Sequence, residues 1–489
     1  MRQAEHIELA IHPKPDHLTI HDWIYSEIRA AILSGRLKPD VRLPTTRDFA
    51  LQNQVSRGSV VTAYEQLIAE GYLCSYTGRG TFVSKTLPHD LAVRPASRPS
   101  LSPKHGTLSR RGAMLAQSPF YQESRQTDPI PFRPNQPDVE HFPFNIWNRI
   151  ASKRANALRD RNMGDLDPGG YLPLRESIAE HLKYAQRIQC TLEQVVILGS
   201  AQQALDLCTR LLLDVGDQVW MEDPGYPGAN RIFAGNEAHV IPVAVDKAGM
   251  NVERAIEMAP HAKMAYITAA HQSPLGVTLS LERRLALLAW AEQNQATILE
   301  DDYDSEYRFD GIPLAPIKSL DSSGRVIYMG TFSKLLYPGI RLAYVVLPDW
   351  LTDPFLSAVS LTCRYLGLHP QMILSEFMAG GHYARHLRRM KMIYQERAQA
   401  FEYACREKLG GEFHVNPITT GLDACVFLPG ELDDADVARQ LSASGIEARP
   451  LSFYGIAKKP ASGLVMGFAA FTPTAIAGGW EKIARILRQ

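Results

Sequence analysis

From residue 195 onward the chain repeats one pattern: a short apolar run, a polar or Gly/Pro cluster, then a stretch with helical periodicity. VVILGSAQQALDLCTRLLL, QVWMEDPGYPG, MAYITAAHQSPLG, ATILEDDYDSEY, RVIYMGTFSK and LAYVVLP carry it in whole or in part. Runs that are apolar throughout suit strands buried on both faces, and their alternation with helices predicts a mainly parallel sheet under helical cover. Ligands in such sheets bind beyond the carboxyl ends of the strands, which is where these polar clusters fall. At 489 residues the chain has room for two to four units, each with its own core.

One boundary is visible in composition. Residues 86–128 are rich in Pro, Ser and Arg and lack sustained periodicity, as expected of a linker. They divide the chain into a head at 19–85 and a body at 129–489. Lys plus Arg balance Asp plus Glu at 52 each, so no global field announces a polyanionic partner and charge has to be read by segment. The six cysteines show no CxxC spacing, which argues against a disulfide framework or a thiolate zinc site and for a reducing compartment. The opening MRQAEHIELAIHPKPD is broken by charges and prolines, and no run approaches the length of a membrane span. A soluble cytoplasmic protein without a metal site is expected.

In the head, Trp23, Ile24, Ile28, Ala31 and Ile32 fall at helical spacing before SGRLKPDVRLP breaks the helix. A second helix is predicted from Thr45, with Asp48 as its capping partner. A third follows in VSRGSVVTAYEQLIAEG, with Val60, Tyr64, Leu67 and Ile68 on its apolar face and Gly71 at its end. YLCSY and TFV flank TGRG as a hairpin. Three helices and a two-stranded wing make a winged helix-turn-helix. SGRLKPDVRLPTTRDFA, VSRGSVVTAYEQLIAEGYL and GRGTFV together resemble the GntR family of transcriptional regulators. That resemblance implies DNA contacts by Arg47, Ser56, Arg57 and Ser59, with Arg79 and Gly80 in the wing near the minor groove or backbone. Which arginine reads a base stays open. The head holds eight Lys/Arg against six Asp/Glu, a net of +2, so two heads in a dimer suit promoter DNA better than one.

In the body, Lys334 of GTFSKLLYPGIR stands at the end of a buried strand, where desolvation favours the neutral amine that attacks an aldehyde to make a Schiff base. That implies a carbonyl cofactor. Pyridoxal phosphate (PLP) also needs a carboxylate at its ring nitrogen, a flat group on its ring and a phosphate cradle. Asp301 ends ATILED, with Tyr303 two residues on. Ser200, Ala201 and Gln202 open a helix whose free N–H groups face an anion. Tyr226 suits the ring face, and Ser333 and Arg341 bracket Lys334 for the phosphate. Asp301 and the adjacent Asp302 face opposite sides of an extended chain.

GTFSKLLYPGIR, EDDYDSEY and GGYLPLRESIAEHL resemble the fold-type I aminotransferases over roughly 130–489, and it is this resemblance that implies Asp301 at the cofactor and leaves Asp302 structural. Joined to a GntR-like head, and with HYARHLRRMKMIYQER, the whole chain resembles the MocR/GabR/PdxR group of PLP-dependent transcriptional regulators. The resemblance implies an α/β body with a smaller α+β domain, and a homodimer whose heads pack on the partner body. It also implies an effector that is an amine, an amino acid or PLP itself, with Arg449 near the segment that holds an effector carboxylate. Many aminotransferases carry Asn before Pro where HQSPLG has Ser273, a departure that bears on the electronic tuning of a fast transaminase. His271 and Gln272 either line the cleft or serve the fold, and Arg385, Arg388 and Arg389 are most simply the polar face of a helix, with a face that docks the head or linker as the alternative. Two rival readings are an aminotransferase with an accessory DNA-binding head, and a scaffold that has lost its cofactor.

Overall fold

In the head, the first helix, α1 (Ile20–Leu33), buries Trp23, Ile24, Ile28, Ala31 and Ile32 and starts at Thr19, whose hydroxyl accepts from the Asp22 N–H. Helices α2 (Thr46–Gln52) and α3 (Arg57–Ala69) follow. Thr45 is the cap of α2: it accepts from the Asp48 N–H and donates to the Asp48 carboxylate at 2.6 Å. On α3, Val60, Ala63, Tyr64 and Leu67 are buried. Ile68, read with them, is exposed: the face is centred on positions i, i+3, i+4 and i+7, and the next residue turns about 100° away. Gly71, at φ +80°, carries the chain out of the helix. Strands β1 (Leu73–Tyr76) and β2 (Gly80–Val83) form the antiparallel wing, with Leu73 opposite Val83 and Tyr76 opposite Gly80.

The computed structural model describes residues 13–15, 18–85, 107–118, 120, 131–157, 167–310, 315–457 and 460–487. The chain divides into two units, Met1–Thr107 and Leu108–Gln489. The second opens within the stretch read as linker: α4 (Arg110–Leu115), capped by Ser109, lies on a later body helix, as described below.

The body's main sheet has eight strands: β3 (Val195–Leu198), β4 (Gln218–Asp223), β5 (His239–Asp246), β6 (Gly249–Met250), β7 (Met264–Ile267), β8 (Thr297–Asp302), β9 (Val326–Thr331) and β10 (Ala343–Val346), in the order β3-β10-β9-β8-β7-β4-β5-β6. The run β9-β8-β7-β4-β5 is parallel, as the alternating pattern predicts. The sheet as a whole is mixed, because β10 runs antiparallel to both β9 and β3, and β6 to β5. An all-apolar strand such as AYVV looks the same in either direction, so its sense is set by the short connection from β9. Side chains alternate across the sheet. Val219 and Met221 pack into the core under α7 (Ala201–Leu212) and α8 (Pro227–Gly235). Trp220, between them, enters the opposite core and stacks on Trp290 at 3.7 Å.

A second, antiparallel sheet, ordered β11 (His414–Val415), β12 (Asp423–Phe427), β14 (Gly463–Gly467) and β13 (Arg449–Pro450), forms the smaller part of the body. It shares one core with α5 (Phe144–Ala157), α6 (Leu172–Ala185) and helix His382–Leu409. Among the described residues no helix is long and apolar enough to cross a membrane.

Candidate functional site

The ends of the parallel strands open into one cavity of about 300 Å³. Ser200, Ala201, Gln202, Tyr226, Asp301, Tyr303, Ser333, Lys334, Arg341 and Arg449 all line it, so the ten residues assigned to cofactor or effector in the sequence converge there. Ser200 caps α7 and accepts from the Gln203 N–H, and the helix opens at the cavity wall with Ala201 and Gln202. Tyr226 leads into α8, and its hydroxyl accepts from Gln202 Nε2 at 2.7 Å. Arg341 takes left-handed backbone geometry, φ +50°, at the end of the short turn Pro338–Ile340. Arg449 sits on β13 with its guanidinium 5.3 Å from the centre of the Phe453 ring.

Asp301 is buried at the end of β8 and accepts a 2.7 Å hydrogen bond from Tyr266. Burial pushes its carboxyl up to about 6, while the Tyr266 hydroxyl and the Lys334 charge pull the other way. Behind it, burial also pushes Glu222 up to about 7, although Glu222 accepts from both the N–H and the hydroxyl of Thr268. Asp302 turns away from the cavity, accepting from Tyr328, from the Ser305 hydroxyl and from the Ser305 N–H, which matches its structural reading.

His271 and Gln272 do not line the cavity. His271 is buried against Asp304, 2.9 Å away; burial works against its proton, but the charge and hydrogen bond of Asp304 together with the Asp423 charge leave its pKa raised. Tyr303 donates to the His271 carbonyl at 2.9 Å. Gln272 donates to the carbonyls of Pro224 and Ser273, holding a turn. Ser273 does line the cavity, and its N–H donates to Thr268 Oγ1 at 3.0 Å.

Sequence reading missed Asn135, Phe120, Tyr266, Thr268, Thr331 and Phe453. Lys334 Nζ donates to the Asn135 carbonyl at 3.0 Å and to Asn135 Oδ1 at 2.9 Å. Phe120 lies 6.2 Å, ring to ring, from Tyr226, and follows α4, which rests on α8 through Leu115 against Gly235 and Arg111 against Glu237 at 3.4 Å. Tyr266, at the end of MAYI, carried a signal of the kind used for Asp301; Asn135 and Phe120 carried none.

The donor set suits PLP. A buried carboxyl held above its ordinary range is stabilised in its charged form by a protonated ring nitrogen, and Tyr226, the α7 terminus and Lys334 offer the other elements that cofactor requires.

In the head, Arg47, Arg57 and Arg79 are exposed. Ser56 caps α3, accepting from the Ser59 N–H, and the two hydroxyls lie 2.8 Å apart. These serines therefore set the end of the helix that presents Arg57. Gly80 has φ +104°, and a Cβ there would fall 2.8 Å from Arg42 Nε. Its place in the wing is thus fixed by backbone and by the Arg42 guanidinium, an exposed cation at the wing that the motif reading passed over. Arg385, Arg388 and Arg389 are exposed on helix His382–Leu409, as the simplest reading had it.

Residues 128–476 match the family described as aminotransferase class I and II, and residues 21–83 match the gntR family of bacterial regulatory proteins. A probable rhizopine catabolism regulatory protein, MocR, of Rhizobium meliloti is 37% identical over 460 residues, covering 94% of this chain and 92% of its own. The HTH-type pyridoxine biosynthesis transcriptional regulator PdxR of Corynebacterium glutamicum is 31% identical over 471 residues, covering 95% of each. Among solved structures, Pyrococcus horikoshii kynurenine aminotransferase, in complex with PMP, is 26% identical with a TM-score of 0.69, covering 78% of this chain and 95% of that one.

Proposed function

Because the chain belongs to the aminotransferase class I and II family, and with its gntR-type head to the MocR-like HTH-type transcriptional regulators, we propose that it is a PLP-dependent transcriptional regulator. The head binds promoter DNA, and the body senses a small amine, an amino acid or PLP. One observation carries this reading: ten residues chosen from separate stretches of sequence line a single cavity, on a chain that also has a complete winged helix-turn-helix.

When bound, PLP supplies an aldehyde carbon that Lys334 and an incoming amine compete for. Asp301 holds the proton of the ring nitrogen, and Tyr226 covers the ring. The α7 terminus with Ser200, Ala201 and Gln202, together with Ser333 and Arg341, holds the phosphate. Tyr303 reaches the ring hydroxyl, and Arg449 takes an effector carboxylate. Arg57 and Arg47 meet DNA at the helix starts, while Arg79 and Gly80 meet it at the wing. The protein works in the cytoplasm as a homodimer, each head packed on the partner's body, which brings two modestly basic heads to one operator.

The test is a linkage experiment. The purified protein is titrated with PLP and candidate amines under visible absorbance, with and without operator DNA, and keto-acid formation is followed in the same samples. Effector and DNA affinities are expected to change by the same factor. Turnover on the order of 1 per second or faster without that reciprocal shift would replace this reading with an aminotransferase carrying an accessory head.

A further inference from the structure

Asn135 stands 199 residues from Lys334 in sequence, yet it supplies two of the lysine's hydrogen-bond acceptors, its carbonyl and its side-chain oxygen. We infer that Asn135 is a positioning residue: it takes up the Lys334 amine whenever that amine is off the cofactor, and through it the release of the lysine is felt by the small sheet. This rests on the PLP site proposed above.

The strap that carries Asn135 belongs mechanically to the small sheet. Glu447 and Gly467 donate backbone N–H groups to the carbonyls of Pro131 and Phe132, at 3.0 and 2.8 Å. Arg133 pairs with Glu447 at 2.7 Å, and the Asn135 N–H donates to Asp423 Oδ1 at 2.7 Å. A Cβ on Gly467 would come within 2.2 Å of the Arg133 carbonyl, so β14 and the strap meet backbone to backbone. Past Asn135, Asp138 pairs with Arg397 at 2.7 Å and its N–H donates to the Tyr394 hydroxyl. Lys334, in contrast, follows β9 of the large sheet.

The Lys334–Asn135 pair therefore bridges the two parts of the body. The lysine amine has two competing destinations, the cofactor carbon and the Asn135 cradle. An effector amine that takes its place on the cofactor leaves it to the cradle, where hydrogen bonds from a charged amine are the strong kind. The strap is then tied to the large sheet, and the tie opens when the lysine returns. A ligand shifts such an equilibrium only through its differential affinity for the two states, and here the difference is carried by a nameable pair of atoms.

Asn135 has φ +67°, a left-handed geometry that glycine adopts freely, so Asn135→Gly removes Oδ1 while leaving the backbone acceptor and the Asp423 bond in place. The experiment measures PLP affinity, and then methylamine affinity of the PLP-loaded full-length protein by visible absorbance, for wild type, Asn135→Gly and Asn135→Asp, with Lys334→Ala as control. Asn135→Gly is expected to weaken methylamine binding about tenfold and to tighten PLP binding, because the released lysine has lost a partner worth about one charged hydrogen bond. Asn135→Asp, which keeps an acceptor, restores methylamine affinity. A merely structural role would weaken both affinities together; that result, or two unchanged affinities, overturns the inference while leaving the PLP site standing. A wild-type protein without PLP-type absorbance removes the site and the inference with it.

Discussion

The head and the body handle charge in opposite ways. In the head, a core built around Ile24, Ile28, Phe49, Val60 and Leu67 supports arginines that stand in water at the helix starts and the wing. On the body's main sheet, three carboxyl groups lie inside: Glu222, Glu300 and Asp301 are buried, each with its pKa driven upward by loss of water. Exposed arginines act at a distance, are screened by salt and suit a polyanion. A buried carboxyl waits for one specific cation and costs stability until it arrives. The same chain can therefore test a long charged surface with one region and a single small molecule with the other.

That contrast can be broken most sharply at Lys334. Lys334→Ala should abolish the cofactor mass that borohydride fixes to the body, while DNA binding by the head remains measurable. An unchanged adduct in the variant would remove Lys334 from its role.

Asp301→Asn tests whether the buried charge is held for the cofactor. Its carboxyl is raised from 3.8 to about 6 in the folded state, so the fold binds this proton more tightly than the unfolded chain does. The stability this group contributes is complete below pH of about 4 and is lost as the pH rises through about 6. Without PLP, Asp301→Asn should therefore be more stable than wild type at pH 8, by on the order of 1 to 3 kcal/mol, with less gain at pH 5. Its PLP affinity should nevertheless fall. Denaturant unfolding at the two pH values and a PLP titration read both effects, and a variant less stable at pH 8 would show that the carboxylate serves the fold.

Smaller effects are expected in the head. Arg57→Ala should cost about 1 to 3 kcal/mol on operator DNA and relax specificity at one position. Equal losses on operator and random DNA would assign Arg57 to phosphate. Arg79→Ala should lower the salt-dependence slope by about 1 and weaken all sequences alike; a change confined to one base position would make the wing a reader instead.

The sequence disclosed what is encoded locally. Asp301, Lys334 and Tyr226 were legible because each follows an apolar run at a break in pattern, where a parallel strand delivers side chains to a cleft. The cap at Thr45 was legible because its partner lies three residues away. Asn135 and Phe120 were hidden because their partners lie far along the chain and nothing in PFRPN or SPFYQ differs from ordinary loop composition. His271, placed between cleft and fold by its motif, was decided by Asp304, 33 residues on. The sense of β10 was illegible because burial on both faces erases the alternation that would have revealed its partners.

That reversed strand has a consequence for how the protein tolerates change. Thr331 pairs with Ala343, and the Phe332 N–H closes on the Leu342 carbonyl at 3.1 Å, so Ser333, Lys334 and Arg341 share one loop sealed by a ladder at its base. A residue inserted into that loop and passed on to β9 or β10 would slip the strand by one and exchange the side chains it presents to its two buried faces. The loops that follow β4 and β7, which bring Tyr226 and Ser273, each lead from a strand towards a helix, and Gln272 Nε2 ties them together at the Pro224 carbonyl. Chain length is therefore fixed most tightly around the lysine, and next at the two loops that Gln272 and Pro224 tie together.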